Sequence, residues 1–198
     1  MWCTRPRRFQ LALGLVVIAI AACRNAPRHS VVMSDPYPAP PLSVARPSGE
    51  RYLLAADSGK VVLLHFGYIQ CPDFCPMTLT DWQEVKHALG RLAEGVRFVF
   101  VSIDPERDTP EATDAWVHQF DSSFVGLAPP QRELEAIKQA WGVVAYKNVS
   151  EAADRPAGRY TMAHPDQTYL INRAGRLQAL YPPETRWQDL ADDLKAMF

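Results

Sequence analysis

Cys71 and Cys75 stand four positions apart in the stretch FGYIQCPDFCPMTL, residues 66–79, and each is followed by a proline. A pair at this spacing can be a disulfide staple, a working thiol-disulfide couple or half of a metal site. A staple across so short a loop constrains the unfolded chain little, because the entropic gain grows with loop length, so stapling is the weakest of the three. Pro76 suits the first helical position, where its missing N–H would go unpaired in any case. That puts Cys75 at the positive end of a helix dipole and predicts a lowered thiol pKa there. A thiolate is both a nucleophile and a soft ligand, so the spacing alone leaves redox chemistry and metal binding open.

Two thiolates select soft or borderline ions such as copper(I) and zinc, and copper binds more tightly than zinc at most such sites. Two cysteines leave the site incomplete, and an imidazole is the expected third donor. Of the five histidines, His29 falls in a proline-rich segment, His87 and His118 on helices, and His65 on an apolar strand, where a hydrogen-bonded core role is expected. His164 is the candidate, in a loop just ahead of a C-terminal strand; Pro165 after it restricts His164 to extended backbone angles. Met77 and Met162 are soft enough to touch copper, although methionine ordinarily fills gaps in a core. Asp104, Pro105, Arg107 and Asp108, in SIDPERDTPE, read as an Asp-Pro step that ends a strand and an Arg-Asp set that orders the turn.

These groups need an α/β scaffold to hold them. KVVLLHFGY, residues 60–68, is a nearly continuous apolar run that suits a strand covered on both faces, and the cysteines sit at its end. Beyond them Leu79, Trp82, Val85, Leu89 and Leu92 recur at spacings of three and four, which predicts a helix with one buried stripe. VRFVFVSID (96–104) is a second buried strand, and TPEATDAWVHQF (109–120) a second helix with Thr109 as N-cap and Pro110 at its first position. A third helix, QRELEAIKQAWG (131–142), presents Leu134, Ile137 and Trp141 on one face and stops at Gly142. Residues 143–163 read as a long loop, functional or partly structured. QTYLIN (167–172) and LQALYP (177–182) are strands joined by a short turn, and ETRWQDLADDLKAMF (184–198) is a closing helix. Trp82, Trp116 and Trp141 are expected in the core. This order predicts an α/β fold of the thioredoxin-like sandwich type, a central mixed sheet flanked by helices, with the cysteines at a strand C-terminal end where such sheets place their sites.

With 198 residues there is room for one ordinary domain and some extra sequence at an end. A net charge of −1 and 47% hydrophobic residues exclude a disordered chain and give nucleic-acid binding no electrostatic support. The first residues, MWCTRPRRF, carry three arginines and lead into 13 uncharged, mostly apolar residues, Gln10 to Ala22. That stretch is short of the about 20 residues a membrane span needs and reads as an export signal. Its ending, IAAC, resembles the lipobox of bacterial lipoproteins, so residues 1–22 are expected to be removed and Cys23 lipidated. The protein would then be extracytoplasmic, on the periplasmic side, and membrane-anchored. Residues 23–49 read as a proline-rich tether, with six of the seventeen prolines between 24 and 47. Residues 50–198 are left as the folded domain. With Cys3 removed and Cys23 lipidated, any disulfide in that domain must join Cys71 to Cys75.

CPDFCP, SIDPERDTPE and a loop histidine followed by TYLIN together resemble the SCO/SenC family of thioredoxin-fold proteins, over about residues 50–198. The resemblance implies copper as the bound metal, with Cys71, Cys75 and His164 as its ligands. It implies a metallochaperone without turnover that delivers copper to, or prepares the copper site of, cytochrome c oxidase. The partner would be an oxidase subunit or another copper protein, met at a membrane through the lipid anchor. The other reading is a thiol-disulfide oxidoreductase using the same cysteines; Pro165 favours it, since thioredoxin-like redox proteins face their cysteine pair with a cis-proline from a comparable loop. A thiol peroxidase is disfavoured, because Tyr68 stands where that class places threonine or serine.

Overall fold

The computed structural model of the chain describes residues 30–148 and 160–198. The export segment, Cys23 and His29 lie outside the described residues. In chain order the elements are β1 (Val31–Pro38), β2 (Ser43–Ala45), β3 (Arg51–Leu53), β4 (Val61–Gly67), α1 (Phe74–Leu89), β5 (Val96–Ser102), α2 (Pro110–Val117), β6 (Val125–Leu127), α3 (Gln131–Trp141), β7 (Tyr146–Asn148), β8 (Thr161–Ala163), β9 (Thr168–Ile171), β10 (Arg176–Tyr181) and α4 (Trp187–Lys195).

All seven residues of β4 are buried, as a continuous apolar run requires of a strand covered on both faces. It lies inside a six-stranded sheet of order β1-β10-β9-β4-β5-β6. β4, β5 and β6 run parallel, and β9, β10 and β1 are joined antiparallel, so the sheet is mixed as expected. Parallel neighbours need crossovers, and α1 and α2 supply them. Side chains alternate along β4: His65 meets Trp82 of α1, while Phe66 meets Trp141 of α3 on the opposite face, so helices cover both sides.

Local signals act as their chemistry dictates. The Thr109 side chain accepts from the Ala112 N–H at 3.1 Å, and Pro110 opens α2. Gly142 ends α3 in the left-handed region at φ 66°, which glycine adopts without Cβ strain. The stripe on α1 is shorter than expected: the helix stops at Leu89, Gly90 turns the chain at φ 55°, and Leu92 is 39% exposed in the following 3-10 turn. Trp82 and Trp141 are in the core, and Trp116 packs on it half-buried. The expected loop 143–163 is partly built as a stem, with β7 paired antiparallel to β8 and Tyr146 opposite Ala163.

The segment read as a tether differs most. Its described part adds β1 to the sheet edge beside β10 and forms β2 against β3, and Leu42 and Val44 are buried at 2% and 0% exposure. Among the described residues, strands that join the fold are already present from Val31, ahead of residue 50. The pattern was silent because β1 is an exposed edge strand without an apolar face, where Pro36 and Pro38 cost no ladder bonds. Among the described residues no helix is long and apolar enough to cross a membrane.

Leu42→Ala is therefore expected to destabilise the domain by about 2–5 kcal/mol, the range for a truncated core leucine. Urea unfolding of a domain starting at Ser30 measures this, and a residue on a free tether would show no change.

Candidate metal centre

β4 delivers the chain to the site through Gly67. A Cβ there would sit 2.6 Å from Cys75 Sγ and 2.8 Å from Phe100 Cε2, so only glycine lets the strand end and the first turn of α1 approach this closely. The loop between them is clamped by SIDPERDTPE. Asp108 Oδ2 accepts from the Ser102 hydroxyl at 2.6 Å and from the Ile69 N–H at 3.0 Å. Arg107 donates to Asp104 Oδ2 at 2.5 Å, to Gln70 Oε1 at 3.1 Å and to the Tyr160 carbonyl at 3.0 Å, with its guanidinium 3.6 Å over the Tyr160 ring. Tyr160 closes the set by donating to Asp104 Oδ1 at 2.6 Å. The acidic and basic residues of this turn do order it. They also tie the cysteine loop to the strand that leads to His164, a role carried by Tyr160, Gln70 and Ser102 that no sequence spacing marks.

His164 follows β8 and precedes β9. Its ring stands edge-on between Tyr68 and His65, with centroids 5.7 and 6.2 Å away. Nε2 lies 3.3 Å from Asp166 Oδ1, Nδ1 lies 3.2 Å from the Pro165 carbonyl, and the side chain is 3% exposed. All described peptide bonds are trans, the one to Pro165 included. The donor atoms of Cys71, Cys75 and His164 lie within 4.8 Å of one another, the one such group gathered among the described residues. The fold thus brings His164, distant in the chain, to the two neighbouring cysteines.

Both cysteines are free thiols here, the reduced form of the disulfide expected between them. Their charges are the reverse of the dipole expectation. α1 begins at Phe74, so Cys75 lies inside its first turn, fully buried, and its N–H points to Cys71 Sγ at 3.4 Å. The hydrogen bond between the two sulfurs pulls the Cys71 thiol far below its usual range, against burial and with help from His164. The same bond, with burial, pushes Cys75 well above it. Cys71 is the thiolate and Cys75 the thiol that donates to it. Burial opposes a charge on His164, but its bond to Cys71 and the Asp166 carboxylate outweigh this and raise its pKa. Without an ion, the pocket therefore pairs a readily ionised sulfur with an imidazole that holds a proton more tightly than usual.

The remaining candidates separate cleanly. His87 is exposed, Met77 is 56% exposed two residues after Cys75, and Met162 packs partly buried beside the core. His65 is fully buried but only half satisfied: Nδ1 meets the Gln167 carbonyl at 3.2 Å, and Nε2 has no partner. Burial and the neighbouring His164 push its pKa down to about 4.

Residues 42–198 match the SCO1/SenC family model. This chain belongs to the SCO1/SenC family. It is 31% identical over 118 residues to the SCO2-like protein of Rickettsia felis, which covers 60% of this chain and 56% of that relative, little more than half its length. Apo Sco1 of Thermus thermophilus superposes with a TM-score of 0.76 at 32% identity, over 86% of this chain and 96% of its own. ScoI of Bradyrhizobium japonicum, determined with copper bound, superposes with a TM-score of 0.70 at 32% identity, over 80% and 98%. The thioredoxin-like sandwich read from the order of elements is the fold of these Sco structures. Two sulfurs and one imidazole nitrogen are a donor set that suits copper on chemical grounds as well.

The charge assignment has a direct readout. Iodoacetamide is expected to alkylate Cys71 ahead of Cys75, and to keep doing so as the pH is lowered toward 6, where an ordinary thiol slows about tenfold per pH unit. Peptide mapping that finds Cys75 modified first would reverse the assignment.

Proposed function

We propose that this SCO1/SenC protein binds one copper ion through Cys71, Cys75 and His164 and hands it to a copper-requiring protein, with a cytochrome c oxidase subunit as the partner. The observation that carries this is the meeting of two sulfurs and one imidazole within 4.8 Å in a site already holding a thiolate. Family membership supports the destination, the Sco family being one of cytochrome c oxidase assembly proteins. Bound copper would supply a soft cation that offsets part of the charge on the two sulfurs. The chain's own residues do the rest: Cys71 offers a ready anion, Cys75 and His164 give up protons as they ligate, and Tyr68 and His65 wall the imidazole edge-on. Loading requires the reduced pair, so oxidation to a Cys71–Cys75 disulfide would block it.

Copper titration of the reduced soluble domain is expected to give one ion per chain and to release about one to two protons near neutral pH. Affinity should fall as the pH drops, because the raised pKa of His164 and the protonated Cys75 place protons in competition with the ion. Cys71→Ala or Cys75→Ala should abolish binding. His164→Ala should weaken it and change the copper(II)-thiolate absorption, while leaving the disulfide able to form. An unchanged affinity and spectrum in that variant would remove His164 from the ligand set.

The unequal thiols support a second reading, thiol-disulfide exchange. The Cys71 thiolate would attack a partner disulfide and expel one partner thiolate; Cys75, after losing its proton, would displace the second and leave a Cys71–Cys75 disulfide. Fast reduction of a disulfide substrate with substoichiometric copper in the reduced protein would favour this activity over the chaperone.

The lipobox reading supports attachment at Cys23 on the periplasmic side, with the short segment before β1 as the link to the membrane. Cys23→Ala is expected to leave unprocessed, unlipidated protein, detectable by mass spectrometry of the native N-terminus. An unmodified and uncleaved N-terminus in the unsubstituted protein would overturn the anchor.

A further inference from the structure

His65 lies beneath the site on the face of β4 that also carries Gly67, where the strand presses on Cys75. Across the sheet it pairs with Thr168, the first residue of β9. There the ladder ends. The preceding residues, Gln167 back to His164, leave the sheet, and Pro165 has no N–H with which to extend the pairing. The His65 side chain takes over where the backbone stops, with Nδ1 3.2 Å from the Gln167 carbonyl. A carbonyl only accepts, so Nδ1 carries the proton and donates it. Nε2 is then a bare lone pair, buried at 0% exposure beside Trp82, Phe100 and His164.

Such an arrangement is a poor bargain for folding alone. A buried nitrogen with no donor is destabilising, and the aromatic surroundings would accept a phenylalanine ring of similar shape with no orphaned atom. What histidine adds is the one side-chain bond from β4, the strand that leads to the cysteines, to the loop that carries the third donor. Gln167 is three residues from His164, and Cys71 is six residues from His65.

We propose that His65 is a positioning residue of the copper site: by holding the Gln167 carbonyl, it fixes where the His164 loop leaves the sheet and so sets the imidazole against the two sulfurs. This rests on the reading of Cys71, Cys75 and His164 as ligands. His65 itself is no ligand; it acts through His164.

Two substitutions separate the bond from the packing. His65→Phe keeps a ring and loses the donor, whereas His65→Asn loses the ring and keeps a donor where Nδ1 stands. His65→Phe is expected to weaken copper binding about tenfold, the lower end of what outer-sphere partners of metal ligands contribute, and to alter the copper(II)-thiolate absorption. His65→Asn should restore most of the affinity. In the copper-free protein, hydrogen exchange at the Asp166 and Gln167 amides should quicken in His65→Phe and not in His65→Asn. The effect of His65→Phe on affinity should vanish when His164 is already alanine, which a general loss of stability would not do.

Wild-type affinity and spectrum in His65→Phe would overturn the proposal, as would a persistent effect in the His164→Ala background or a loss in His65→Asn as large as in His65→Phe. Failure of the unsubstituted protein to bind copper would instead overturn the ligand reading, and the exchange rates at Asp166 and Gln167 would still report on the His65 bond.

Discussion

Cys75 is pressed against Gly67 with no room for a single additional carbon, and the chemistry of the site follows from that approach. It buries Cys75 completely, which disfavours a thiolate there in spite of the helix N-terminus. The hydrogen bond between the two sulfurs is the larger effect: together with that burial it raises the Cys75 pKa, and it lowers that of Cys71. The bond to Cys71, with the Asp166 carboxylate, in turn raises the His164 pKa against the cost of burial.

A site made from a loop after β4 and a loop before β9 has to be held from both sides. Sheet pairing aligns β4 with β9 only as far as His65 and Thr168, short of the donors themselves. Beyond that point the acidic turn does the holding. Asp108 grips the Ile69 N–H, and Arg107 spans from Gln70 to the Tyr160 carbonyl. The burial of these charged groups is tolerable because each meets an opposite charge or a hydrogen-bond donor. Removing one partner would leave a charge stranded, which is costlier than never having placed it there.

Two large apolar side chains flank the buried Cys75 in the chain and face outward. Phe74 and Met77, at the start of α1, are 45% and 56% exposed on either side of the buried Cys75.

The parts of this protein legible in the sequence were those written in local terms. Apolar runs and three-four spacings gave β4, β5, α1 and α3, because burial of a strand or a helix stripe is recorded in the residues of that element alone. Thr109, Pro110 and Gly142 marked helix ends through their own backbone and capping chemistry. The cysteine pair and His164 could be named as donors because thiol and imidazole chemistry belongs to the residue type. Other features depended on partners distant in the chain. β1 is a strand only because β10 offers it an edge, and its own pattern of exposed residues and prolines says tether. Which cysteine holds the proton turned on the hydrogen bond between the two sulfurs and on the burial of Cys75, neither of which is visible at Pro76. The half-satisfied state of His65 followed from the end of the β4–β9 ladder. Residue types alone determined what chemistry this chain can do; the tertiary packing decided where the protons sit, because burial and hydrogen-bond partners are set by neighbours that the linear order does not reveal.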